Sequence, residues 1–420
     1  MSEFELRLGA SPAQVPTARQ VTWPAPGRSG TLDFSLTPGL SELGAVPDRA
    51  IDLVRLAVGV FAADQLQKRS ESTFTRSIDL RVQMLDPARF DNATLAAFAD
   101  LLRSLSGDDW TIGVLADPVP RPPQAGPEPD VPAAARVALL SGGLDSFAGA
   151  VLSSQLREHT VYLGYRHLSP EAGAQNRILR WFKDSGHPLE FHEVSLSVAG
   201  KAEQTTRTRS LFFMALGVAL AAARGAETLV VPENGFTSIN IPLGEDRGGA
   251  LTTRSTHPRT IDAFNALLAA IGIGVRVVNP HADQTKGELV RAAAAVAAVG
   301  FADVASATYS CAKPPQFFAG VSPVEPCGVC VACITRRAAF IEANVPDRTP
   351  YVSTKAGAWA GKAKFEAQRM EDAEAVRRAI LIGFEPEDLL AIGPFPDAFD
   401  FDIGLDLCRR GLTELGRVPL

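Results

Sequence analysis

The sequence predicts an α/β protein, in which a parallel-sheet domain carries a C-terminal four-cysteine knuckle and is preceded by a smaller α+β domain. Three observations carry that prediction. From Arg136 onward, short apolar strands alternate with helical stretches, the pattern of a parallel sheet covered on both faces. Ahead of them, seven prolines between Asp117 and Pro132 remove amide donors and favour extended chain, which marks a semi-rigid linker. Four of the five cysteines then fall in one short region, Cys311 to Cys333. The expected units are residues 1–116, a linker over 117–135, the sheet domain over 136–351, and a helical extension over 352–420.

Each element has its own signal. Apolar and polar residues alternate in Glu3–Leu8 and Thr31–Leu36, as in half-buried strands. Ile51, Val54, Leu56, Val58 and Phe61 suit a helix over Asp48–Lys68. A strand over Ser77–Leu85, a helix over Ala93–Leu105 and a strand over Trp110–Leu115 complete the first unit. It holds no constellation of catalytic residue types, and Asp64, Asp108 and Asp109 are read as surface or capping carboxylates. In the sheet domain the strands are Arg136–Leu140, Thr160–Tyr165, Leu189–Leu196, Thr228–Pro232 and Gly274–Asn279. Helices are expected near 147–157, 171–185, 207–223, 258–271 and 285–299. Ligands of such sheets bind beyond the carboxyl ends of the strands.

The first of those ends is the most telling. Ser141-Gly142-Gly143-Leu144-Asp145-Ser146 reads as strand, glycine turn and helix start. Adjacent glycines bring backbone amides close to an anion, the two serines add hydroxyl donors, and the helix presents its positive end. Asp145 suits a magnesium ion bridging phosphate oxygens. No Gly-Lys-Ser/Thr follows, so this is not a Walker A loop. The competing reading is a plain glycine turn with Asp145 or Ser146 as an ordinary N-cap. Other strand ends carry Tyr165-Arg166-His167, Glu233-Asn234-Gly235 and Asn279-Pro280-His281, and Lys286 opens the next helix, where it could place a cation over phosphates. Tyr165, His167, Glu233, Asn234 and His257 are the candidate substrate residues.

Cys311, Cys327, Cys330 and Cys333 follow the spacing C-x15-C-x2-C-x2-C. Four thiolates close a tetrahedral zinc site and leave no open position for chemistry, so a structural role is expected. An iron–sulfur cluster is the alternative. Cys408 stands apart and reads as a small buried apolar residue. A formal charge of −6 gives no general attraction to a polyanion, which argues against nucleic acid as the main partner. No run of 18 apolar residues suggests a membrane span, and Met1–Glu5 lacks a signal-peptide pattern, so a cytoplasmic enzyme is expected.

Ser-Gly-Gly-x-Asp-Ser after a buried strand resembles the PP-loop of the ATP pyrophosphatases, whose fold is adenine nucleotide alpha hydrolase-like. The order of the further pieces resembles one branch of them, the 7-cyano-7-deazaguanine synthases (QueC). Those pieces are Thr208-Arg209-Ser210, Asn279-Pro280, Thr285-Lys286-Gly287-Glu288, Ser310-Cys311, and Cys327 to Cys333 followed by Arg336-Arg337-Ala338-Ala339-Phe340. The resemblance implies ATP, Mg2+ and Zn2+ as cofactors. It places the phosphates on Ser141, Gly142, Gly143, Leu144, Asp145, Ser146 and Lys286, Arg209 at the nucleotide or substrate site, and zinc on the four cysteines. It also implies the chemistry, in which 7-carboxy-7-deazaguanine is activated to an acyl adenylate and an amine then forms an amide.

This chain departs from the compact synthases. Arg207-Thr208-Arg209-Ser210 stands where they have Pro-Gly-Arg-Asn, and the first unit, the linker and the tail after about 352 have no counterpart in them. Such enlargement is similar to the QueC-like proteins of bacterial antiphage operons (the Qat type), thought to join the deazaguanine carboxylate to the N-terminus of a partner protein. A protein amine would then replace ammonia. The first unit is expected to be a docking surface, dispensable for activation. A synthase using ammonia, a tRNA sulfur-transferase and a nucleotide-holding scaffold are the alternatives.

Overall fold

The computed structural model describes residues 2–8, 17–23, 30–37, 44–70, 75–115, 131–166, 169–203, 207–243, 254–312, 325–354 and 363–420. The first unit contains β1 (Ser2–Leu8), β2 (Arg19–Trp23), β3 (Leu32–Thr37), α1 (Asp48–Leu66), β4 (Ser77–Val82), α2 (Asn92–Ser106) and β5 (Asp109–Val114). Next come β6 (Arg136–Leu139), α3 (Leu144–Ser154), β7 (Thr160–Tyr165), α4 (Ser169–Asp184), β8 (Glu190–Val198), α5 (Arg209–Ala223), β9 (Thr228–Val230) and α6 (Gly235–Ile239). The order continues with α7 (Pro258–Ala270), β10 (Arg276–Val278), α8 (Lys286–Val296), α9 (Phe301–Ala307) and α10 (Val331–Glu342). The C-terminal part holds α11 (Ala363–Ile382), α12 (Pro386–Ala391) and α13 (Phe401–Leu415). Local chemistry sets many of these bounds. Asp91 accepts from the Thr94 amide to start α2, Gly107 ends it in the left-handed region, and Thr285 with Glu288 forms a capping box at α8.

Two sheets result. The larger has the order β10-β9-β6-β7-β8-β3, parallel except for β3, which runs antiparallel to β8. From β6 the chain moves outward through β7 and β8, then returns to the other side of β6 for β9 and β10. The strand order therefore reverses between β6 and β9, where a ligand crevice opens in such sheets. The smaller sheet, β2-β1-β4-β5, is parallel throughout, so the first unit is itself α/β in character where its alternating strands had suggested α+β.

The boundary at residue 116 is crossed by the fold. β3 comes from the first unit yet forms the edge of the larger sheet, with Leu32 opposite Val198 and Phe34 opposite Leu196. Helix α1 packs on α5, with Phe61 stacked on Phe212 at 6.2 Å between ring centroids, and one apolar core runs from Leu53 and Phe61 to Val137, Leu163 and Leu229. Residues 116–130, most of the proline-rich stretch, lie outside the described residues. Two carboxylates read as surface or capping groups are instead fully buried in an ion network. Asp64 and Asp108 both pair with Arg76, and Asp108 also takes Arg69 at 2.7 Å. Burial of a carboxylate at this depth requires such partners. Asp109 is a surface group, paired with Arg103.

The C-terminal helices form a further apolar cluster. Leu407, Cys408, Leu412 and Leu415 of α13 meet Phe236 and Ile239 of α6 and Ile334 and Ala338 of α10. Cys408 is buried there, and burial pushes its thiol up to about 12. Among the described residues, no helix is long and apolar enough to cross a membrane.

Candidate functional site

Strand β6 delivers the Ser141–Ser146 loop to the point where the strand order reverses. Gly142 has φ +86°, and a Cβ there would come within 2.9 Å of the Glu171 carbonyl oxygen, so the turn requires glycine. Gly143 is the N-cap of α3 and offers no side chain to its first amides. Asp145 and Ser146 lie inside the first turn, which removes the reading of either as an ordinary cap. The hydroxyls bind the loop to itself. Ser141 accepts from the Gly143 amide at 3.3 Å and donates to Ser146 Oγ at 3.2 Å, and Ser146 donates to the Gly143 carbonyl at 3.0 Å. Leu144 is buried beneath, and the Tyr309 amide donates to the Gly142 carbonyl at 3.0 Å. What remains is a helix N-terminus whose capping residue offers no side-chain acceptor, suited to an anion.

Asp145 is the centre of the polar cluster. One of its oxygens accepts from Lys286 Nζ at 2.5 Å, and the other accepts from the Asn234 side-chain amide at 2.7 Å and backbone amide at 3.2 Å. Lys286 Nζ also lies 4.0 Å from Glu233 Oε1, and Thr237 donates to that oxygen at 2.8 Å. Asn234 caps α6 by accepting from the Thr237 amide. Three strand ends thus converge: β6 through Asp145, β9 through Glu233 and Asn234, and β10 through Lys286.

The electrostatics follow from the count of charges. Burial opposes ionisation of Asp145, but the Lys286 ammonium and the amide donors hold it well below the usual carboxylate range. Burial and the adjacent Asp145 charge push Glu233 the other way, well above that range. The pair therefore carries about one negative charge against one ammonium, and an incoming polyanion meets a cation already desolvated.

The remaining candidates are placed differently. Tyr165 donates its hydroxyl to the Leu196 carbonyl at 2.8 Å and packs on Phe213, so its polar atom is committed to the fold. Arg209 is the first residue of α5, at the carboxyl edge of the sheet, within electrostatic reach of Tyr165. His257 caps α7, its Nδ1 accepting from the Arg259 amide at 3.2 Å, and its ring lies 4.9 Å from that of Phe395. Burial and the nearby Arg254 and Arg259 push His257 down to about 4, so it is neutral at pH 7. Pro258, at the first position of α7, is a local signal for a helix start after His257. His167 lies outside the described residues.

Two features were not evident from the sequence. The segment before Arg209 is tied to the first unit: Thr208 donates to buried Asp64 at 2.8 Å, and Arg207 donates to the Ser106 carbonyl at 2.9 Å. A cleft of about 360 Å³ also opens beside the cluster, between Asn279–Pro280 and the side chains of Phe399, Ile403 and Leu407. Asn279 joins cleft to cluster by accepting from the Glu233 amide at 3.4 Å.

The four cysteines form a separate centre. Their sulfurs all lie within 4.8 Å of one another, with Cys311–Cys330 and Cys327–Cys333 each at 3.9 Å. A tetrahedron of zinc–sulfur bonds near 2.3 Å has edges of about 3.8 Å, so the set fits zinc. Amide hydrogens of Cys327 and Cys330 point at neighbouring sulfurs, as suits thiolate charge. Cys327, Cys330 and Cys333 are buried and Cys311 is half-buried, and Arg336 of α10 binds Thr308, Thr349 and the Ala305 carbonyl to hold α10 on α9.

Residues 195–344 match the family model described as "Queuosine biosynthesis protein QueC". The chain is similar to the 7-cyano-7-deazaguanine synthase of Methanothermobacter thermautotrophicus, at 29% identity over 243 residues, covering 51% of this chain and 98% of that protein. The synthase of Microcystis aeruginosa is 26% identical over 251 residues, covering 53% of this chain and 97% of that protein. That of Ruegeria sp. is 28% identical over 241 residues, covering 51% and 91%. Each of these relatives is matched over nearly all of its own length and over about half of this chain.

Proposed function

We propose that this protein is an ATP-dependent carbon–nitrogen ligase of the PP-loop type, acting on a 7-deazaguanine carboxylate. The observation that carries the reading is the meeting of Asp145, Asn234 and Lys286 beside the open N-terminus of α3, at the reversal of strand order. The carboxylate oxygen of 7-carboxy-7-deazaguanine attacks the α-phosphorus of ATP. The bond from that phosphorus to the bridging oxygen breaks, pyrophosphate leaves, and an acyl adenylate forms. An amine then attacks the acyl carbon, loses a proton, and expels AMP to leave an amide.

The chain's task is positioning and charge neutralisation. The first amides of α3, with Ser141 and Ser146, would hold phosphate oxygens, and Lys286 would turn from Asp145 toward the departing pyrophosphate. Arg209, at the edge of the same sheet, would face the nucleotide or the carboxylate. The hard oxygen donors Asp145 and Glu233 fit magnesium, and Asp145 would hold that ion, which when bound spreads phosphate charge. Cys311, Cys327, Cys330 and Cys333 would hold zinc, which knits the C-terminal half of the domain and has no open position for substrate.

We take an amine of a partner protein as the acceptor, in keeping with the residues beyond the compact relatives and with a role in antiphage defence. Synthesis of 7-cyano-7-deazaguanine with ammonia is the second reading, favoured by the names of the relatives. The closed set of four cysteines leaves no spare sulfur carrier among them and disfavours tRNA thiolation. Incubation with ATP, magnesium, 7-carboxy-7-deazaguanine and an amine acceptor should release AMP and pyrophosphate, whereas ADP and phosphate would overturn the assignment. Mass spectrometry with ammonia or with proteins encoded nearby then reads the acceptor, and nitrile release with ammonia alone would select the second reading.

A further inference from the structure

We infer that Glu414 is a positioning residue, through which α13 fixes the start of α8 and thereby sets Lys286 against Asp145. The inference rests on the reading of Lys286 as the cation for the leaving group. Its geometry stands independently of that reading.

Glu414 is buried, and both its oxygens are used at the first turn of α8. Thr285, the N-cap, donates its hydroxyl to one, and the Gly287 amide donates to the other at 3.2 Å. These residues flank Lys286 on either side. The carboxylate thus satisfies an orphan amide of the helix start and opposes the positive end of the helix. One turn earlier on α13, Arg410 pairs with Glu288, the other half of the α8 capping box, and donates to the Asp283 carbonyl at 3.0 Å. Just past the end of α13, Arg417 pairs with Glu342 of α10, which also takes Arg291 of α8 at 2.6 Å. Two α13 side chains one turn apart, Arg410 and Glu414, therefore fix the start of α8, and Arg417 ties it indirectly through α10.

Backbone contact is equally close. A Cβ on Gly287 would come within 2.5 Å of Glu342 Cβ and 2.7 Å of a Glu414 oxygen, and one on Gly411 would overlap the ring of Phe236. Phe236 belongs to α6, whose N-cap Asn234 grips Asp145. Helix α13 thus rests on both segments that hold Asp145. A mere packing helix would place an apolar side chain where Glu414 sits. The groups facing that carboxylate are Thr285 and Glu288 on α8 and Glu342 on α10.

The test compares the full-length wild type with Glu414→Leu and Glu414→Gln. Glutamine keeps one acceptor for the two donors, and leucine keeps none. Glu414→Leu should lower the rate of AMP formation by about 10- to 100-fold, as a displaced catalytic group does, with KM for ATP changed far less. Glu414→Gln should recover most of that loss. A second readout needs no turnover. Acylation of Lys286 by an amine-directed reagent in nucleotide-free protein, followed by peptide mass spectrometry, should be several-fold faster in Glu414→Leu. Unchanged acylation, or faster acylation with wild-type AMP formation, overturns the inference. If the wild type makes no AMP and pyrophosphate, the proposed function fails while acylation still tests whether α13 sets Lys286. Should Glu414→Leu not fold, Glu414→Gln with Arg410→Ala carries both measurements.

Discussion

The segment from β6 to α10 and the two ends of the chain contribute to this molecule in different ways. The middle segment carries the candidate site: Asp145, Asn234, Glu233, Lys286 and the four cysteines all lie within it. The ends supply none of these groups, yet each reaches a segment that bears a candidate cation. Asp64 of the first unit holds Thr208, next to Arg209, and Glu414 of α13 holds Thr285, next to Lys286. A site that works by placing charges needs supports for those charges, and here the supports come from outside the segment that carries the site.

The sharpest way to break this comparison is to remove one end. A chain beginning at Ala133 would lose β3 from the larger sheet and α1 from the face of α5, leaving Phe212, Val194 and Leu196 uncovered. Several large side chains at about 1.5–3 kcal/mol each are comparable to the whole margin of a typical domain, about 5–15 kcal/mol. The truncated chain is therefore expected to aggregate or unfold, with no activation step left to measure. This differs from the expectation that the first unit is a dispensable docking surface. A soluble truncated chain that still exchanged labelled pyrophosphate into ATP would restore that expectation.

The middle segment should respond in chemistry with little change in fold. Asp145→Ala should abolish AMP and pyrophosphate release, and Lys286→Ala should lower it by about 10²- to 10³-fold, the range for loss of one preorganised charge. Far-ultraviolet circular dichroism should show both proteins folded. Because the pair neutralises itself in a buried place, removing Lys286 alone leaves Asp145 unpaired and should cost more stability than removing both. A thermal melt of the double variant beside the two single variants measures that ordering.

What could be read from the sequence was what is local in it. Strand β7 has the bounds expected of the short apolar run Thr160–Tyr165, and α7 ends one residue from the expected range, because such runs are signals of a few residues' reach. The Ser141–Ser146 loop and the cysteine knuckle are likewise contiguous. The supports were not legible. Thr208 finds Asp64 across 144 positions and Thr285 finds Glu414 across 129, and nothing local distinguishes those acids from surface ones. β3 misled for the same reason: its alternation marks a half-buried strand but not which sheet it joins.

The cysteine centre separates stability from chemistry inside the middle segment. Purified protein should carry about one zinc per chain by elemental analysis and show no visible band. Cys330→Ser should lower the melting temperature by several degrees, since metal binding is coupled to folding. Absorbance near 400 nm with iron in place of zinc would count against the closed zinc site.

The smallest expected effect concerns pH and sharpens the comparison most finely. Burial, with Glu342 and Glu288 nearby, pushes Glu414 up to about 7, against an ordinary carboxylate value near 4.5. Between those values the folded chain binds more protons at this position than the unfolded chain does. Its contribution to stability is therefore present at low pH, declines as pH rises from about 4.5 to 7, and is lost above 7. The full shift corresponds to at most about 3 kcal/mol, and water reaching the start of α8 would reduce it. Glu414→Gln cannot ionise, so the difference in melting temperature between wild type and variant should tilt across that interval, with the variant gaining relative to wild type as pH rises. At lengths above 200 residues each kcal/mol moves a melting temperature by about 2 °C or less, so a drift of a few degrees is expected. A parallel pair of melting curves across pH 4.5 to 8 would mean that Glu414 is not desolvated in solution and that α13 lies less closely on α8. If the tilt is present and Glu414→Leu is also slow in AMP formation, then α13 retains a carboxylate that destabilises the fold near neutral pH. The role of Glu414 would then lie in the placing of Lys286, through Thr285 and Gly287 on either side of it.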